Sequence, residues 1–164
     1  QILLDVAQEV GETVNFAVPC ETGMDYLDRV ETGWAFRIQL PIGSRVPFHC
    51  TASGKTFLAS LPMAKLKNFL ATLHLQAMTK NTHVSTATLL AEISQVRKNG
   101  YALDQEEFMD DMVAIAVPVK DPKNRYIAAL AFHGPTQRMN IPDAIKSKDL
   151  LQSAARRISE SLFA

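Results

Sequence analysis

Residues 112–119, Met-Val-Ala-Ile-Ala-Val-Pro-Val, form an almost unbroken apolar run. The polar stretch Lys120-Asp121-Pro122-Lys123-Asn124 separates it from a second apolar run, Arg125 to Phe132, which Gly134-Pro135 ends. Runs this short, bounded by turn residues, read as strands. A chain carrying such a pair must build a sheet and cover it, so the rest of the sequence is read for what provides the cover.

Before that pair the periodicity changes several times. Leu3, Val6, Ala7 and Val10 fall at helical spacing, and Gly11 stands where a left-handed cap ends a helix. From Thr13 the period is two: Val14, Phe16 and Val18 alternate with Thr13, Asn15 and Ala17 up to Pro19, and a turn at Glu21-Thr22-Gly23 leads into a strand from Met24 to Val30. Phe36, Ile38 and Leu40 alternate with Arg37 and Gln39, which predicts a third strand before a Pro41–Pro47 loop. Helices are expected from Thr51 to Leu61, from Met63 to Leu73, and from a Ser85 cap to Asn99 with Gly100 as its stop. Leu75 to Val84 is irregular, and Tyr101 to Leu103 is a short strand. A last helix starts near Pro142-Asp143 and buries Leu151, Ala154, Ala155, Ile158 and Leu162. Strands joined by tight turns, with helices grouped elsewhere, predict an α+β domain with an antiparallel sheet.

Composition narrows function by exclusion. Seventeen Lys+Arg balance 17 Asp+Glu across 164 residues, so no net positive field attracts nucleic acid. With 47% apolar residues the chain has enough to bury for one core and is not disordered. No apolar run reaches membrane-spanning length and no signal peptide is visible, which with two unpatterned cysteines, Cys20 and Cys50, points to a cytoplasmic protein. The chain begins at Gln1, as expected of a processed chain or of a piece of a longer one.

Chemical motifs are few. Thr51-Ala52-Ser53-Gly54-Lys55-Thr56 ends like a phosphate-binding loop, but that pattern needs a glycine where His49 stands. The plainer reading is a helix N-terminus whose small residues allow close packing and whose free N–H groups can hold a small anion. Asp104, Glu106, Glu107, Asp110 and Asp111 lack the glycine of a calcium loop and read as a solvated acidic turn, with Asp104, right after a strand, able to point into a cavity. His49, His74, His83 and His133 make no zinc-binding pair, so no metal is expected. His49 beside Cys50 allows a thiol nucleophile, although chain neighbours usually point apart. His133 ends an apolar strand, where it closes a pocket or sits satisfied at a rim.

Several stretches together resemble one family. They are Leu27-Asp28-Arg29-Val30-Glu31, then Pro41-Ile42-Gly43-Ser44-Arg45-Val46-Pro47-Phe48-His49 running into Thr51 and Gly54-Lys55, and Gly100-Tyr101-Ala102-Leu103-Asp104 with Glu106-Glu107. Ala116-Val117-Pro118-Val119 and Ala128–Pro135 complete the set. The chain thus resembles, over nearly its whole length, the effector-binding domain of the IclR family of bacterial transcriptional regulators.

The resemblance implies a GAF/profilin-like fold, a curved antiparallel sheet flanked by helices. It divides the chain into residues 1–12, the end of an inter-domain linker helix, and residues 13–164, the effector-binding domain. DNA would be bound only by a winged helix-turn-helix domain absent from this chain. It implies a homodimer or homotetramer without catalysis or cofactor, and a ligand site at Ile38, Ala52, Ser53, Asp104, Ala114, Ala131 and His133. Family members that sense small hydrophilic acids tend to carry cysteine or serine where Ala114 and Ala131 stand here, which shifts the expected effector from glyoxylate- or pyruvate-like acids towards a larger or aromatic organic acid. The alternative is a small cytoplasmic enzyme using Cys50/His49 or the Asp104 acid cluster.

Overall fold

In the computed structural model, which describes residues 1–40 and 43–164, local signals set most of the elements. Helix α1, Ile2–Val10, ends because Gly11 adopts φ 72°, where its N–H donates to the Ala7 carbonyl. Strands β1, Thr13–Pro19, and β2, Met24–Val30, follow as an antiparallel hairpin with a bulge between Phe16 and Ala17. A two-residue strand β3, Arg45–Val46, pairs with Met24 and Asp25. Three helices come next: α2, Ala52–Ser60, α3, Met63–Thr72, and α4, Thr86–Asn99. Ser85 caps α4 through the Thr88 N–H, and Gly100 at φ 77° stops it. Strands β4, Ala102–Gln105, β5, Met112–Lys120, and β6, Tyr126–Pro135, lead into helices α5, Ile141–Lys146, and α6, Lys148–Leu162.

The six strands form one curled sheet in the order β3-β2-β1-β6-β5-β4, with every neighbouring pair antiparallel. Register divides its residues between two unlike faces. Val14, Phe132 and Ile115 lie side by side on β1, β6 and β5, and this face packs its large side chains against α1 and α6. The other face carries Ala17, Ala129, Ala131, Ala114 and Ala116, and α2 crosses it. Small side chains on this face let the helix lie close to the strands, and Ala52 of α2 joins Ala114, Ala116 and Ala131 in one buried cluster. Close approach on the helix's other side depends on Gly54, where a Cβ would lie 2.4 Å from the Phe48 carbonyl oxygen.

Three expectations need correction. Residues 33–40 form no strand, because the place beside β2 is taken by β3 and side chains satisfy the backbone instead. The carbonyls of Trp34, Phe36, Ile38 and Leu40 accept from Arg37, Arg138, His133 and Arg29 respectively. The C-terminal helical region divides at Ser147 into α5 and α6, with Asn140 capping the first. Leu162 is exposed, because the last turn of α6 runs past the sheet. Of the Pro41–Pro47 loop, Pro41 and Ile42 lie outside the described residues and β3 occupies part of the remainder.

Candidate functional site

Thr51-Ala52-Ser53-Gly54-Lys55-Thr56 is accounted for residue by residue. The Thr51 hydroxyl accepts from the Gly54 N–H at 3.0 Å and donates to the Pro47 carbonyl at 2.6 Å, capping α2. Ala52 rests on the alanine floor, and Gly54 admits Phe48. Thr56 donates to the Ser53 carbonyl and shares a 2.9 Å hydrogen bond with the Tyr126 hydroxyl. Lys55 binds no phosphate. Its ammonium is fully buried, 2.9 and 3.0 Å from the two Glu107 carboxylate oxygens and 3.2 Å from Glu92.

That pairing corrects the reading of the acidic turn. Asp110 and Asp111 are solvated, whereas Glu107 is buried because Lys55 from α2 neutralises it. Glu107 in turn holds the turn closed: its carboxylate accepts from the Gln105 N–H, and its own N–H donates to Asp104 Oδ1 at 2.8 Å. Asp104 is left 1% exposed and faces the alanine side of the sheet. Burial pushes its carboxyl up to about 7, with the Glu107 charge acting in the same direction.

Between this face and the start of α2 lies a small cavity of about 20 Å³. Ala52 and Ser53 form its helix side, Ala114 and Ala131 its floor, and Asp104 and His133 two polar corners. Six of the seven residues singled out from the sequence are therefore brought together. Ile38 is not among the lining residues; it comes near only through its carbonyl, 3.2 Å from His133 Nε2. Asn15, Tyr26, Leu40, Thr51, Phe108 and Met112 complete the wall and were missed. For Asn15 the signal was present in part, since the alternation of β1 places it on the less apolar side. That this side meets Ala131 is a matter of register, which the chain alone does not reveal.

His133 is neutral for two reasons. The Ile38 carbonyl can only accept, so Nε2 carries the proton, and Nδ1 then accepts from Asn15 Nδ2 at 2.9 Å. Burial, with Arg29's charge adding to it, holds its proton affinity below the ordinary histidine value. At the rim, the first-turn N–H groups of Ala52 and Ser53 have no intrahelical acceptor, whereas those of Gly54 and Lys55 are taken by Thr51. The cavity thus combines a methyl-lined floor with hydrogen-bonding groups at its edges, in a space closed down to about one water molecule.

The thiol alternative gains no geometric support. Cys50 is fully buried and its thiol is pushed up to about 12 by desolvation, while His49 engages the Gln76 carbonyl at 2.8 Å. Among the described residues, no group of three or more His, Cys, Asp or Glu could hold a metal ion, and no helix is long and apolar enough to cross a membrane. Broader grooves lie on the outer surface, one over Pro118, Gln152 and Arg156 and another lined by Arg45, Phe48, His49 and Gln76.

Comparison with known proteins agrees with this fold. The family described as "Bacterial transcriptional regulator IclR C-terminal" matches residues 1–160. The chain is 40% identical over 140 residues to the probable transcriptional regulator SauR of Cupriavidus necator, covering 85% of this chain and 56% of that protein. It is 32% identical over 152 residues to the transcriptional repressor AllR of Escherichia coli K12, covering 93% of this chain and 56% of that protein. The chain therefore spans little more than half the length of these relatives. Among solved structures, Thermotoga maritima IclR superposes with a TM-score of 0.92 at 29% identity, over 99% of this chain and 66% of that one. A double mutant of the Acinetobacter PobR inducer-binding domain, complexed with 3-hydroxybenzoic acid, superposes with a TM-score of 0.89 at 26% identity, over 96% of this chain and 93% of that one.

Proposed function

The chain belongs to the IclR family, with the GAF/profilin-like fold of that family's C-terminal domains, and on that premise we propose that it senses a small organic or aromatic acid and self-associates on behalf of a DNA-binding regulator. The observation that carries this reading is the convergence of Ser53, Asp104 and His133, from three separate elements, on one buried cavity. The first turn of α2 and the Ser53 hydroxyl receive the effector's carboxylate. Asp104 accepts from an effector hydroxyl, Ala114 and Ala131 supply apolar surface, and His133 with the Ile38 carbonyl closes the far wall. The hydroxybenzoate held by the PobR domain supports an acid as the ligand class.

DNA is contacted by a winged helix-turn-helix domain ahead of residue 1, with residues 1–12 ending the helix that joins the two domains. Signalling shifts the arrangement of subunits in a homodimer or homotetramer in the cytoplasm, with no reaction catalysed and no cofactor or metal used. The test is a thermal-shift screen of this domain against aliphatic and aromatic acids, repeated with Ser53→Leu. Acids that stabilise the wild type should fail to stabilise the variant. Equal stabilisation of both proteins would overturn the cavity as the effector site.

A further inference from the structure

The cavity has a volume of about 20 Å³, the space of a single water, so an acid must move a wall to enter. Most of the walls are fixed. Asn15, Tyr26, Met112, Ala114, Ala131 and His133 belong to ladder-paired strands. Thr51 caps α2 and fixes its first turn, while Lys55, through Glu107, pins the acidic turn beside Asp104 and Phe108. Leu40 is the exception. It belongs to residues 33–40, which pair with no strand, and among the described residues no backbone-to-backbone hydrogen bond reaches them.

Side-chain donors hold this strap in place. His133 holds the Ile38 carbonyl, Arg29 that of Leu40, and Arg138 that of Phe36. Arg138 stands outside the cavity, where the Glu12 carboxylate anchors it at 2.8 and 2.9 Å. The rings of Trp34 and Phe36, both exposed, rest on its guanidinium with their centres 5.1 and 6.0 Å away. A glycine stands at each end of the strap, Gly33 and Gly43, the second at φ 81°. A segment tied by side chains alone opens locally at far lower cost than a strand in a ladder. His133 Nε2 has one proton to give, and a charged oxygen accepts it more strongly than a neutral carbonyl does. An acid in the cavity and the Ile38 carbonyl therefore compete for the same donor.

Resting on the acid-sensing reading above, we propose that residues 33–40 are the movable wall of the effector cavity and that Arg138 is its latch. The Ile38 carbonyl holds His133 until an oxygen of the acid takes its place, and the strap then lifts with Trp34 and Phe36. Occupancy inside the domain becomes a displaced pair of aromatic rings on its surface, where a second subunit can read it. The closed strap also lowers the apparent affinity for the acid, because only the open fraction can bind.

Trp34 is the single tryptophan, so labelling with 5-fluorotryptophan gives a fluorine resonance that reports the strap alone. Hydrogen exchange of the same domain should show residues 33–40 opening locally, faster than β1 and β6 by about tenfold or more. 3-Hydroxybenzoate, titrated by calorimetry, should move the fluorine signal as it binds. Arg138→Gln removes a latch that does not line the cavity. It should speed exchange of the strap and strengthen binding of the probe by about two- to tenfold, the worth of one hydrogen bond. A residue that only braces the fold would weaken binding or leave it unchanged. Where Arg138→Gln does not fold, Phe36→Ala, on the exposed side, takes its place with the same expectations. Exchange of residues 33–40 only through global unfolding would overturn the proposal, as would binding that leaves the Trp34 signal unmoved or that does not strengthen in the variant. Binding of 3-hydroxybenzoate to neither protein would count against an aromatic acid as effector, and the exchange rates would then decide the strap by themselves.

Discussion

Asn15 and His133 lie on neighbouring strands, and the 2.9 Å hydrogen bond from Asn15 Nδ2 to His133 Nδ1 fixes which imidazole nitrogen carries the proton. It also ties the histidine's charge state to the fold. Buried and accepting at Nδ1, His133 binds its second proton less readily than in the unfolded chain, where the value is about 6.5. Its contribution to stability is complete above that pH and declines as acid protonates the unfolded chain first. The advantage of the wild type over His133→Gln, which cannot titrate at this position, should therefore shrink between about pH 7 and pH 5 in urea unfolding. A difference independent of pH would mean that the ring is solvated.

Asp104 acts with the opposite sign. Its folded value of about 7 lies above the unfolded carboxyl, so the native state holds a proton that the unfolded chain releases. That contribution is complete below about pH 4 and is lost as pH rises through about 7. Asp104→Asn keeps the acceptor for the Glu107 N–H and removes the ionisation. The variant should match the wild type near pH 4 and exceed it at pH 8 by up to about 4 kcal/mol, measured by urea unfolding at the two pH values.

Lys55 is a buried cation that balances buried acid. Lys55→Met leaves Glu107 and Glu92 without it and should destabilise the domain by about 3–5 kcal/mol. Adding Glu107→Gln should recover part of the loss, since one uncompensated charge is then gone. Additive losses in the double variant would show that the pair is not coupled.

Gly54→Ala brings a methyl group to 2.4 Å from the Phe48 carbonyl oxygen and 2.5 Å from its Cα, both backbone atoms that cannot rotate away. A loss of roughly 2–4 kcal/mol is expected, because α2 must lift from its place between sheet and loop. A neutral result in chemical denaturation would show that Phe48 yields.

Self-association should be measurable in the domain alone. Trp34, Phe36, Leu162 and Phe163 are large apolar side chains left exposed, and oligomerisation is part of the proposed role. Sedimentation at tens of micromolar, the range of about −8 kcal/mol or weaker, should show dimers or tetramers. Only an 18.1 kDa species would contradict this.

What the sequence determined by itself is whatever depends on a few consecutive residues. Gly11 and Gly100 end helices, Thr51 and Ser85 begin them, and alternation marks β1, because caps and periodicity act within about one turn or one pleat. The family resemblance added half of the cavity's lining residues, although Phe36, Ile38 and Leu40 alternate like a strand and are not one. The pairing of Asn15 with His133 joins residues 118 positions apart, and Lys55 reaches Glu107 across 52. Partnerships of that range follow from register and from how closely α2 settles on a floor of alanines, not from spacing. Tertiary structure alone therefore decided which acids are buried, which histidine proton is kept, and that residues 33–40 are held in place by side chains.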